Sequence, residues 1–264
     1  MFRILKSEIL KSKRLPILWV GVLTSLVAAL LSAQVATAND GTIYDFDLFM
    51  CNCIWLNGSL LFPATITLLV GYSIDKERKD GTLKNLLSIP LSYYEIFAGK
   101  IIAGFLLSIF LAFCENIFAV LLFFGSDRPG FTWQLELSML AKMIGMNICT
   151  YIAVLPVLAV LAKTPKNLMV GVVFSVFYGF IGVFTTGRNL TSIYPISAGL
   201  VIIDHSGINK GNGDMTKSII VMGIMLALTC IIMIVRTDVE RIISDENTKK
   251  IRHLRKKTES DDLP

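Results

Sequence analysis

Asp75 to Lys100 read DKERKDGTLKNLLSIPLSYYEIFAGK. The run opens on alternating charge, Asp75 through Asp80, turns at Gly81 and continues into a short amphipathic repeat. On one side lies Leu48–Tyr72, without a single charge; on the other lies Ile101–Gly125, whose only charge is Glu115. About 20 apolar residues at ~1.5 Å rise cross a hydrocarbon layer of ~30 Å. The charged run is therefore a loop at a membrane surface joining two transmembrane helices, and that decides the fold of the whole chain.

Four further blocks have the same character. Leu15–Ala36, Met143–Ala162, Leu168–Gly187 and Ser218–Val235 are uncharged, the last being the shortest at 18 residues. The 264-residue chain is 54% hydrophobic and only 17% charged, against about a quarter charged in an ordinary soluble domain. No barrel-type alternation occurs, so helices are the spanning solution. The expected fold is an all-α integral membrane protein with six spans, at about 15–36, 48–72, 101–125, 143–162, 168–187 and 218–235. These make up a transmembrane domain over 15–235, followed by a charged tail over 236–264.

Lys and Arg set the orientation. Residues 1–14 hold five, 73–100 five, 163–166 two and the tail eight, which places 20 of 25 on one side. Both termini are expected on that side, in the cytoplasm. The net charge of +5 is then a topology signal, and no nucleic-acid partner is expected. Residues 1–14, MFRILKSEILKSKR, form an amphipathic pattern suited to the lipid interface. This basic start, the apolar run and Ala36-Thr37-Ala38 resemble a secretory signal, but 22 apolar residues exceed the usual ~7–15, so an uncleaved anchor is expected.

Several polar and small residues stand out inside the spans. Glu115, followed by Asn116, lies near the middle of the third span, where an ionised carboxylate costs about 2.5–3.5 kcal/mol unless paired or hydrated. Two readings stay open: a structural hydrogen bond to Asn57 or Asn147, or a functional acid. Pro63 and Pro156 should bend the second and fourth spans. Gly171, Ser175 and Gly179 recur at spacing four in the fifth span, a stripe that lets helices approach closely, either within one chain or between two copies. Cys51, Cys53, Cys114, Cys149 and Cys230 all fall in spans and read as small buried hydrophobes. Between the last two spans, residues 188–217 form a long external segment whose apolar part, Tyr194–Ile203, is too short to cross and reads as re-entrant or interfacial.

Catalytic signatures are missing. No phosphate-binding G-x-x-x-x-G-K-[ST], G-x-S-x-G or H-E-x-x-H occurs, and His205 and His253 fall on opposite sides of the expected membrane. The chain is expected to be no enzyme, with no cofactor or metal of its own.

Within Asp75–Lys100, Thr82 can cap a short helix, Leu83, Leu86 and Leu87 line one face of it, and Pro90 ends it. Ser92 can cap a second short helix running to Lys100. Such a helix either lies on lipid or docks into a groove of a soluble partner. Glu77-x-x-x-Gly81-Thr82-Leu83, with Leu86-Leu87, Pro90 and Lys100, resembles the signature between spans 2 and 3 of ABC-2 type permeases, the membrane subunits of ATP-binding-cassette exporters. The six spans, the interfacial N-terminus and Pro195 in the external segment agree with that family. The resemblance implies that Glu77, Gly81, Thr82, Leu83, Leu86 and Leu87 form a coupling helix against a separate ATPase subunit, with ATP and Mg bound there. It also implies a second permease copy or a paralogue, lipid, and cargo. The small size is similar to lantibiotic-immunity, bacitracin-resistance and phenol-soluble-modulin-type exporter permeases, which points to an amphipathic peptide. The rival reading is an ATP-independent secondary carrier using Glu115.

Overall fold

Apolar runs of this length become helices because lipid offers nothing to an unpaired backbone N–H or C=O. The computed structural model describes residues 16–37, 44–79, 93–126, 128–163, 168–185, 190–203 and 213–234, and among these all regular structure is helical. The elements are α1 (Leu18–Val35), α2 (Phe46–Leu56), a π-helical turn (Asn57–Leu61), α3 (Phe62–Lys79), α4 (Tyr93–Phe124), α5 (Trp133–Lys163), α6 (Leu168–Thr185), α7 (Pro195–Ile202) and α8 (Met215–Ile234). Among the described residues six helices are long and apolar enough to cross a membrane, the second running continuously through α2, the π turn and α3. The expected N-terminal helix 1–14, the 164–167 loop and the tail 236–264 lie outside the described residues.

The second and fourth spans form the core: in the most apolar 18 residues of each, 67% are buried, against 22–33% in the other four. α5 packs against α4, α8 and α3, while α1 lies on α4 and α6 lies on α3. The outer faces keep large apolar side chains such as Trp19, Phe177 and Ile224 exposed, as a helix in lipid can.

Three elements differ from the sequence expectation. Near Pro63, where a bend was expected, the second span carries a π turn that the sequence did not announce. Proline has no N–H to give the carbonyl of Ser59, four residues back. The wider turn accommodates this, and α6 approaches so closely there that a Cβ on Gly179 would stand 2.6 Å from the Ser59 carbonyl oxygen. Second, α4 runs unbroken from Tyr93 through Lys100, without a separate short helix. Third, α5 begins at Trp133, ten residues before the uncharged block. Its first turn tolerates Glu136 because Asn116 of α4 donates a hydrogen bond to the carboxylate at 2.6 Å.

The external segment folds as the eight-residue helix α7, with Pro195 at its start, where a missing N–H costs nothing. Ile196 to Leu200 are buried against α5, α6 and α8, so this non-spanning piece is covered by protein. Hydroxyls fasten it: Thr185 donates to Ser197 Oγ at 3.0 Å, Ser197 to the Thr191 carbonyl at 3.0 Å, and the Asp214 N–H to Ser192 Oγ at 2.7 Å. Asp214 begins the last span, accepting from the N–H of Thr216 and pairing with Lys217 at 3.1 Å. Its bonds to Lys217 hold its carboxyl below the usual range.

Candidate functional site

Two polar sites lie within the bundle, one at mid-span and one where α3 and α4 meet the 80–92 segment.

The mid-span site is built on the π turn. Asn57, its first residue, donates Nδ2–H to Glu115 Oε2 of α4 at 2.5 Å. Glu115 is 0% exposed. Of the two amides weighed from sequence, Asn57 is therefore the partner. Asn147 is buried nearby on α5, and its Nδ2 has no hydrogen-bond partner among the described residues; the same holds for Glu115 Oε1 and Ser59 Oγ. Thr150, one turn beyond Asn147, donates to the Gly58 carbonyl at 3.1 Å, and Gly58 itself lies against Met146. Two hydrogen bonds tie this irregular turn to its neighbours, Asn57 to Glu115 of α4 and Thr150 of α5 to the Gly58 carbonyl. Asn116, adjacent in sequence to Glu115, points to Glu136 instead, since neighbours on a helix face different ways. Glu136 had no signal as a partner because it reads as part of an external loop.

The small-residue stripe belongs to the same neighbourhood. Ser175 and Thr67 share a hydroxyl hydrogen bond at 2.7 Å, Gly171 packs on Leu161, and Gly179 packs on the backbone at Ser59. The stripe is thus a packing face within the chain. Phe174, Phe177, Phe180 and Phe184 are exposed on the rest of α6, whereas Tyr178 is partly buried in the core. Cys51, Cys53 and Cys149 are buried, but Cys114 is only partly covered and Cys230 is exposed.

The second site contains both ends of the charged stretch. Glu77 Oε2 of α3 and Lys100 Nζ of α4 form an ion pair at 2.8 Å, and Lys100 also donates to Ser73 Oγ at 3.4 Å. The two residues are 7% and 5% exposed. The resemblance implies that Glu77 contacts a partner subunit; within this chain its carboxylate pairs with Lys100 of the neighbouring helix. Gly81, Thr82, Leu83, Leu86 and Leu87 lie outside the described residues.

The family model described as "ABC-2 family transporter protein" matches residues 4–182, which include both polar sites and the stretch between the second and third spans. The chain belongs to the ABC-2 transporter family. No curated protein matches it. As an ABC-2 member it is a multi-pass membrane permease component, and the ATPase of such a transporter is an associated subunit.

Proposed function

We propose that this permease works in the cytoplasmic membrane of a bacterium as half of an export pathway for amphipathic or antimicrobial peptides or related antibiotics. A second copy or a paralogue completes the pathway, and two ATPase subunits carrying ATP and Mg dock at 75–100 and near 163–167. Nucleotide binding closes the ATPases and shifts the spans between inward- and outward-accessible populations. The observation that carries this reading is the family match across residues 4–182, taken with the signature Glu77–Lys100 between two spans. The cargo assignment rests on the resemblance to lantibiotic-immunity, bacitracin-resistance and phenol-soluble-modulin-type exporter permeases.

The test is flux of a fluorescent cationic amphipathic peptide in vesicles holding the chain and its co-purified ATPase subunit. Flux that needs ATP and is unchanged by Glu115→Gln is expected. Flux driven by a pH gradient without ATP, and lost in Glu115→Gln, would establish the secondary carrier instead.

A further inference from the structure

α6 and α8 both pack on α5 and leave a gap between themselves. One half of that gap is filled from within the chain: Ala198 of α7 is buried with Cys149 of α5 and Met222 of α8. About two turns further along α5, from Pro156 to Leu161, the gap is open, a groove of about 450 Å³. Val160 and Leu161 of α5, Val170, Gly171 and Phe174 of α6 and Ile232 of α8 line it, so its walls carry no charge and no side-chain hydrogen-bonding group. α6 comes down on Leu161 at Gly171, where a Cβ would stand 2.4 Å from Leu161 Cδ1, while Val160, Val170 and Phe174 on the rim are exposed. The groove lies at the ends of α5 and α8 and the start of α6, on the side to which the Lys and Arg distribution assigns the cytoplasm. It therefore opens sideways into the hydrocarbon of the inner leaflet.

An empty apolar gap forfeits dispersion contacts along every wall. The size of the groove selects what fills it. A helix with its side chains is about 10–12 Å across, so the roughly 8 Å from Pro156 to Leu161 would take roughly 600–900 Å³ of it. A helix of a second copy, or of a cargo peptide, is too bulky for this space. An unbranched acyl chain is far narrower, and one leaflet supplies about 15 Å of its length. We propose that the groove holds one acyl chain of a phospholipid of the cytoplasmic leaflet. The chain does for the inner half of the gap what α7 does for the outer half: it joins α6 to α8. This site is independent of what the permease carries.

The experiment uses the full chain purified in a mild detergent, with native mass spectrometry to count retained phospholipid. Thermal unfolding is followed before the lipid is stripped, after stripping, and after phosphatidylglycerol is added back. The unaltered chain should retain one phospholipid, unfold about 2–4 °C earlier once stripped, and recover with the added lipid. Val160→Trp with Val170→Trp fills the groove, and this variant should lose both the lipid and the response to adding it back. Ile219→Trp with Ile224→Trp, exposed on α8 outside the groove, should keep both. Equal retention in the groove and control variants would overturn the proposal, as would an unaltered chain whose unfolding is indifferent to stripping and to added lipid. A peptide or a second copy retained in place of the lipid, and displaced by the groove variant, would overturn it too. If the groove variant fails to accumulate, the unaltered chain decides in vesicles of phosphatidylglycerol bearing a photoreactive diazirine in its acyl chain. Labelling of Val160, Val170 and Phe174 about fivefold above that of Ile219 and Ile224 is expected. Equal labelling would overturn the proposal.

Discussion

Glu115 lies at the middle of the bundle and is met by an amide; Glu77 lies at its end and is met by an ammonium. Both carboxylates are buried, and both join a residue of the second span to one of the third. The first belongs to a knot in which Asn57, Thr150 and Gly179 hold a π turn against α4, α5 and α6. The second belongs to a pair of helix ends with a cavity beside it. The two sites differ in what holds them: packed backbone and neutral hydrogen-bond donors at mid-span, opposite charges at the helix ends. At mid-span a Cβ on Gly179 would stand 2.6 Å from the Ser59 carbonyl oxygen, so α6 packs there with no room for a side chain, whereas the ion pair joins two side chains at helix ends.

Substitutions can break that contrast. The largest effect is expected from Gly179→Val, whose side chain must enter the space of the Ser59 carbonyl and Pro63: a loss of about 3 kcal/mol or more, read as failure to accumulate in the membrane or as early thermal unfolding in detergent. Gly223→Ala, with nothing within 4 Å, is the matched control and should be neutral. Next comes Lys100→Met, which removes the ammonium 2.8 Å from the buried Glu77 carboxylate, at a cost of about 3 kcal/mol; it is relieved by adding Glu77→Met, a double-mutant cycle in thermal unfolding. Glu115→Ala strands the Asn57 amide and opens a void, costing about 2 kcal/mol, while Glu115→Gln keeps an acceptor and should cost less than about 1 kcal/mol. A Gln variant as damaged as Ala would mean that the carboxyl group itself matters, which would sharpen the case for a functional acid. The smallest effect is expected from Thr150→Val, about 1 kcal/mol for the lost bond to Gly58.

Much of this architecture was legible in the sequence because the membrane imposes a length and a polarity on each span. Uncharged runs located the six helices, and Tyr194–Ile203 announced itself as too short to cross. Glu115 was conspicuous for the same reason, and Asn57 was among its expected partners. The π turn was not legible: Pro63 signals a defect, but how the chain accommodates it depends on Gly179 arriving from another helix. The early start of α5 was hidden because Glu136 and Lys142 break the apolar run, and only the Asn116 amide across the bundle makes Glu136 acceptable there. Glu77 and Lys100 were read as members of a motif along the chain. That they meet follows from α3 and α4 being antiparallel neighbours, which is tertiary information.

In the proposed function a separate ATPase subunit drives this permease through the stretch Asp75–Lys100. The most direct test is gentle solubilisation of the tagged chain expressed within its native gene cluster, with mass spectrometry and an ATPase assay on what co-purifies. A stoichiometric nucleotide-binding subunit and ATPase activity are expected, both lost when Leu83 and Leu87 are replaced by Asp. A chain that purifies alone, stable and without ATPase activity under several mild conditions, would contradict it.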